Sequence, residues 1–125
     1  MENKPTKPAR SFEDLQVWQE AHRLVLSVYR FTQTFPQEER FGLASQMRRA
    51  AVSVAANIAE GFSKRGKTDK LRFFNISQGS LEETRYHLIL AGDLGYGNVR
   101  ALADQLGKVA LLLGAYCRAI REDVR

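Results

Sequence analysis

The stretch Asn98–Arg121, NVRALADQLGKVALLLGAYCRAIR, carries the plainest structural signal in the chain. Val99, Leu102, Leu106, Val109, Leu113, Tyr116 and Ile120 alternate three and four apart without a slip. Only a helix turning at 3.6 residues keeps such a set on one side, so the spacing predicts an amphipathic helix with a coiled-coil-like seam. Asn98 is placed to cap it. Before it, Leu94-Gly95-Tyr96-Gly97 reads as a turn.

Working backward, a third helix is expected from Thr68, as N-cap, to about Asp93. Leu71, Phe74, Leu81, Leu88 and Ala91 form its inner face, and Asn75, Gln78, Glu82 and Arg85 its polar stripe. Gly79 lies inside it at a cost of roughly 1 kcal/mol relative to alanine, which points to a tight helix contact there. The link Phe62–Thr68 is polar and basic, with Gly66 at its centre.

A second helix is expected from about Glu38, whose acidic neighbourhood suits a helix N-terminus, to Gly61, a natural C-terminal stop. Ala50, Ala51, Val52, Val54, Ala55, Ala56, Ile58 and Ala59 cover most of its circumference. Gln46, Arg49, Ser53, Asn57 and Glu60 form one narrow polar stripe. A helix apolar nearly all round is buried on most sides, so this one implies a second burial surface and hence an oligomer. The first helix follows Ser11, which with Asp14 makes a near capping box. Leu15, Trp18, His22 and Val25 recur on it at helical spacing beside Leu24, Val28 and Phe31, until Phe35-Pro36 ends it.

Four such helices with short connections pack most simply as an all-α, antiparallel up-down-up-down four-helix bundle. No segment alternates with the period of a strand. The expected organisation is a disordered basic arm over residues 1–10 and one bundle domain over residues 11–125. At 125 residues, 44% hydrophobic and 26% charged, the chain has enough apolar material for a real core. No secretory signal or membrane-length run is visible. The lone Cys117 rules out an internal disulfide, and a reducing, cytoplasmic location is expected.

Gly61-Phe62-Ser63-Lys64-Arg65-Gly66-Lys67-Thr68 matches the phosphate-binding loop G-x-x-x-x-G-K-[ST] letter for letter. That chemistry requires a buried strand before the loop, with Lys67 on the phosphates and Thr68 on magnesium. Here a helical pattern carrying Asn57 and Glu60 precedes it, and too little chain follows for a parallel sheet. The octet therefore reads as a helix stop, a loop and a helix start. A di-iron bundle needs Glu-x-x-His motifs, and the chain has none. His22 reads as a core or interface histidine, and His87 shares a face with Glu83, four residues earlier. Cys117, at the edge of the helix-four seam, reads as a buried apolar cysteine. No catalytic residue, metal site, cofactor or small-molecule substrate is expected.

The net charge is +5, and its placement matters more than its total. Lys64, Arg65, Lys67, Lys70 and Arg72 crowd one helix junction against Asp69; Arg48 and Arg49 add charge on helix two, and Lys4, Lys7 and Arg10 on the arm. Phosphate backbones reward such clusters through counterion release. The competing explanation is a solvated surface, with Arg48 and Arg49 paired to Glu60, Glu82 or Glu83.

Three stretches are familiar in combination: Phe12–Gln19 (FEDLQVWQ), Gln46–Gly61 (QMRRAAVSVAANIAEG) and Arg72–Glu83 (RFFNISQGSLEE), with Leu94-Gly95-Tyr96. Together they closely resemble the bacterial 23S ribosomal RNA intervening-sequence protein family, over residues 11 to about 120. The resemblance implies a four-helix bundle assembled as a ring-like homopentamer, with no agreed enzymatic activity. It implies a distant likeness to the accessory variability proteins of diversity-generating retroelements, which bind nucleic acid and a reverse transcriptase. Only the Gly61 end of the phosphate-loop octet belongs to the shared pattern. For the motif residues, a partly buried hydrogen-bonded network is expected, with Arg49, Ser53, Asn57 and Glu60 meeting Ser80 and Glu83.

The reading that follows is a non-enzymatic homo-oligomer that binds RNA or a ribonucleoprotein through Arg48, Arg49, Lys64, Arg65, Lys67, Lys70 and Arg72. The alternative is a protein-interaction scaffold with no nucleic-acid binding.

Overall fold

The computed structural model describes residues 8–123; most of the expected N-terminal arm, including Lys4 and Lys7, lies outside the described residues. The described residues hold four α-helices: α1 (Gln16–Thr32), α2 (Leu43–Ser63), α3 (Lys67–Asp93) and α4 (Arg100–Glu122). Two short 3-10 turns, Phe12–Asp14 and Gln37–Glu39, precede α1 and α2, and no strand is present among them. Each helix packs on the next, and α4 closes back on α1.

The helix ends differ from the sequence expectations for local reasons. Ser11 does build a capping box: its hydroxyl accepts from the Glu13 amide at 3.2 Å, and the Asp14 carboxylate accepts from the Ser11 amide at 3.3 Å. The box closes only the 3-10 turn, because Leu15 is extended, and α1 starts after it. Glu39 acts on α2 from a distance, its Oε1 accepting the Leu43 amide at 3.1 Å. That amide belongs to the first α2 residue and has no partner within the helix. The N-cap of α3 is Gly66 and not Thr68. The N-cap of α4 is Val99 and not Asn98, although the Asn98 side chain, one residue earlier, accepts from the Arg100 amide at 3.0 Å.

Gly61 does not stop α2, which continues to Ser63. It is buried within the last turn. A Cβ there would stand 2.6 Å and 2.9 Å from two carbons of the Phe74 ring and 3.1 Å from Phe73 Cβ. Phe74 is fully buried, so its ring has nowhere to go. Gly79, by contrast, is exposed, and a Cβ added to it would meet nothing within 4 Å, so the tight contact expected there is absent from the fold. The turn after α3 does require glycine. Gly95 has φ +77°, and the amides of Gly95 and Tyr96 return to the carbonyls of Gly92 and Ala91 at 3.0 and 2.9 Å. This is the Schellman arrangement, which satisfies the last carbonyls of a helix.

The core seam of α4 is Leu102, Leu106, Val109, Leu113 and Cys117, with Val99, Tyr116 and Ile120 packed at its margin. On α1 the buried apolar residues are Val17, Ala21, Leu24, Val25 and Val28; Leu24, Val25 and Val28 belong to the expected face, but Val17 and Ala21 take the place of Trp18 and His22. Trp18 and His22 stack on each other at 5.0 Å at the edge of the core, and His22 is exposed. Two apolar stripes run side by side on this helix, and periodicity could not rank them. Glu20, also buried, pairs with Arg23 and with Lys108 of α4 at 3.3 Å.

The two glycines yield opposite expectations. Gly61→Ala should destabilise the fold by about 1–2 kcal/mol, overpacking against Phe74 outweighing the helix-propensity gain. Gly79→Ala should stabilise it by about 0.5–1 kcal/mol. Urea unfolding midpoints for both variants check the pair.

Candidate nucleic-acid interface

The basic junction is formed where α2 ends and α3 begins, with only Lys64, Arg65 and Gly66 between them. So short a link keeps every cation from Lys64 to Arg72 at one end of the helix pair. Their side chains are not equivalent. Lys70 reaches back to α2 and donates to the Phe62 carbonyl at 2.8 Å and more weakly to Gly61 at 3.4 Å. Both carbonyls lie in the last turn of α2; that of Gly61 also accepts the Lys64 amide at 3.1 Å, whereas Lys70 is the donor to that of Phe62, so Lys70 helps cap that helix. Its partial burial lowers its pKa below the ordinary lysine value. Lys67 donates to the Asp123 backbone carbonyl past the end of α4.

Three cations remain turned outward. Lys64 and Arg72 lie over the Phe73 ring, at 5.0 and 4.8 Å from its centre. Their ion pairs, Lys64 with Glu60 at 3.5 Å and Arg72 with Asp69 at 3.7 Å, are solvent-exposed and therefore weak. Arg65 is exposed and makes no ion pair among the described residues. The phosphate-loop reading of the octet fails here, since Gly61–Ser63 is helix and no strand precedes it among the described residues.

Arg48 and Arg49 do not join this junction. Sixteen residues of α2 separate Arg48 from Lys64, about 24 Å at 1.5 Å per residue. Neither pairs with Glu60, Glu82 or Glu83. Arg48 Nε donates to Thr32 Oγ1 at 2.7 Å, and the guanidinium lies 4.7 Å above the Tyr29 ring. Glu60 takes Lys64, Glu82 takes Arg85 at 3.2 Å, and Glu83 faces His87.

The motif network exists in part. Ser53 and Ser80 share a hydrogen bond at 2.8 Å across α2 and α3. Asn57 donates to both the Ser53 carbonyl and hydroxyl, at 2.8 and 3.0 Å. Arg49 and Glu83 line one shallow groove with Ser53 and Ser80 but make no direct bond to them, and Glu60 stands outside it. One member was missed entirely: buried Ser77 donates to the Val54 carbonyl at 2.7 Å. A serine inside an otherwise apolar inner face was the signal.

His87 faces Glu83 as expected, but its burial was not read from the sequence. It is buried, its Nε2 is 3.6 Å from a Glu83 oxygen, and its Nδ1 has no hydrogen-bond partner among the described residues. Burial lowers its pKa, against a smaller opposing effect from Glu83. Burial likewise raises the Cys117 thiol, only partly countered by Arg121, which leaves little nucleophilic thiolate. No group of three His, Cys, Asp or Glu side chains gathers as a metal set among the described residues. No helix among them is long and apolar enough to cross a membrane.

The fold and its charge define a small all-α domain with a cluster of basic residues at a helix-to-helix connection. The chain belongs to the 23S rRNA-intervening sequence protein family, whose pattern matches residues 13–114. The fold is also that of a solved protein of unknown function from the S23 ribosomal protein family of Bacteroides thetaiotaomicron VPI-5482. The two share 20% identity at a TM-score of 0.76, over 82% of this chain and 95% of that one. No curated protein matches the chain.

Two outcomes test this geometry. Asn57→Ala should cost about 0.5–1.5 kcal/mol, the net contribution of a partly buried hydrogen-bonded side chain, read from chemical denaturation. His87→Leu tests the buried imidazole. A His with a depressed folded-state pKa contributes stability that is complete above its unfolded value near 6.5 and is lost as pH falls below it. The leucine variant should lack that acid-side decline in a stability-versus-pH series. It should match the parent at neutral pH, because the replacement also removes an unsatisfied nitrogen.

Proposed function

We propose that this chain is a non-enzymatic, homo-oligomeric, up-down-up-down bundle that binds RNA or a ribonucleoprotein through the α2–α3 junction. The carrying observation is the outward-facing trio Lys64, Arg65 and Arg72, of which Lys64 and Arg72 lie over the half-buried Phe73 ring. Cations held by weak, exposed ion pairs are free to exchange those partners for phosphates. The Phe73 ring beneath them offers a face for base stacking. The family takes its name from an intervening sequence of 23S rRNA, which is in keeping with the same reading. Arg48 and Arg49 are left out of the surface because of their distance, and Lys67 and Lys70 because of their intramolecular bonds.

The oligomer has its own support. Phe12, Trp18, His22, Val25, Val52 and Ala56 border an open, largely apolar cleft of about 370 Å³ along α1 and α2. Val52 on its rim is 41% exposed. Apolar surface of this kind on the small-residue helix suits close approach by another subunit, and a homopentamer is the assembly that the family resemblance implies. The same cleft favours the alternative, a protein-interaction scaffold whose charge is incidental.

RNA affinity measured across a salt series, with native mass recorded on the same sample, separates the two. An oligomer should bind with an affinity that falls steeply with salt. The Lys64→Ala/Arg65→Ala/Arg72→Ala variant should keep its native mass and show a log–log salt slope shallower by about two to three units. An intact oligomer without RNA affinity, or a slope unchanged in the variant, refutes the RNA reading and favours the scaffold.

A further inference from the structure

The opposite end of the bundle carries a second cationic feature that the junction does not explain. A cleft of about 370 Å³ opens at the α1–α2 connection, with Thr32, Gln33, Phe35, Gln37, Arg40 and Arg48 on its walls. Two arginines and two primary amides line it, and no carboxylate does. Glu39, on the same connection, is already engaged through both oxygens, by the Leu43 amide and by the Tyr96 hydroxyl at 2.7 Å. Those bonds hold its carboxyl below the ordinary range, and Glu39 does not line the cleft.

Arg48 is prepared for a ligand. Thr32 is buried, and its hydroxyl donates to the Val28 carbonyl at 2.8 Å, which leaves a lone pair to accept Arg48 Nε. Tyr29 supports the guanidinium plane from one side. The two terminal nitrogens have no hydrogen-bond partner among the described residues. A guanidinium fixed in this way presents a planar fork suited to two oxygens of one anion, with little ordering left to do on binding. Arg40 on the cleft wall has no ion pair among the described residues and only the exposed Phe41 ring beside it, at 5.2 Å.

We propose that this cleft binds a phosphate monoester. Arg48 grips the phosphoryl oxygens, Arg40 supplies the second positive charge, and Gln33 and Gln37 donate to the remaining oxygens. Two permanent cations without a lining acid favour a dianion over a monoanionic carboxylate. Phe35 and Pro36 give the organic part of the ester an apolar wall, and the volume suits a phosphate carrying a small ring. The same chemistry comes from a free phosphate ester or from the terminal phosphate of an RNA strand. The site is separate from the α2–α3 junction and does not depend on RNA binding there.

The test is calorimetric titration of the full chain with phenyl phosphate, benzoate and a trinucleotide with or without a 5′-phosphate. Phenyl phosphate should bind and benzoate should bind at least about tenfold more weakly, with Arg40→Gln and Arg48→Gln each lowering phenyl phosphate affinity by about tenfold. The Lys64→Ala/Arg65→Ala/Arg72→Ala variant should bind phenyl phosphate as the parent does, even if RNA affinity is lost or was never present. Preference for the 5′-phosphorylated trinucleotide over phenyl phosphate assigns the site to strand ends, and the reverse order assigns it to free esters. Arg48→Gln also loses the Thr32 bond, so exposed Arg40→Gln decides the matter if the former misfolds. No binding of phenyl phosphate, equal binding of benzoate, or full affinity in Arg40→Gln overturns the proposal.

Discussion

The close approach of α2 and α3 sets the terms for the rest of the molecule. Gly61 has no side chain, so the Phe74 ring sits directly against the α2 backbone. Further along the pair, Ser53 meets Ser80 and Ser77 reaches the Val54 carbonyl, contacts that only small side chains permit. The alanines of α2 keep its remaining faces thin, and Met47, Val54 and Ile58 fill the core from the same helix. The Ser53–Ser80 and Ser77–Val54 bonds pair polar groups across the helices, so the contact also selects one register.

That closeness determines the character of the basic junction. With three residues linking α2 to α3, the end of one helix and the start of the other share one small surface. Lys70, one turn into α3, falls within reach of the Phe62 carbonyl at the end of α2 and is drawn into capping it. Lys64, Arg65 and Arg72 have no such carbonyl to satisfy and remain directed outward. A cluster that looks uniform along the chain is thus divided by helix-end chemistry into cations that hold the fold together and cations offered to a partner.

The other end of the bundle is held by different means. The Tyr96 hydroxyl on the α3–α4 turn bonds Glu39 on the α1–α2 connection, joining two turns distant in sequence. This bond lowers the Glu39 carboxyl and raises the Tyr96 phenol, each partner favouring the protonation state the other needs. Beside it, Thr32 fixes Arg48 at the mouth of a cleft that contains no acid. The two ends therefore offer positive charge in different forms, an open ridge over an aromatic ring at one and an oriented fork in a recess at the other.

Much of the helical architecture was legible in the residues. The α4 seam, the glycine turn before it, the polar stripe of α3 and the over-apolar α2 are local patterns, and local spacing is what a helix converts directly into a face. Helix ends were less legible, because Ser11 and Glu39 cap from outside the helix and Gly61 serves packing instead of termination. The choice between the two stripes of α1 and the burial of His87 and Ser77 depended on which neighbour lay across from them. So did the fates of the cations. By sequence alone Lys70 and Arg65 were equal charges, and Arg48 belonged with Arg49 and the loop. Charge and periodicity are properties of the chain, whereas a hydrogen-bond partner or a vacant guanidinium edge exists only once another helix has been brought against it.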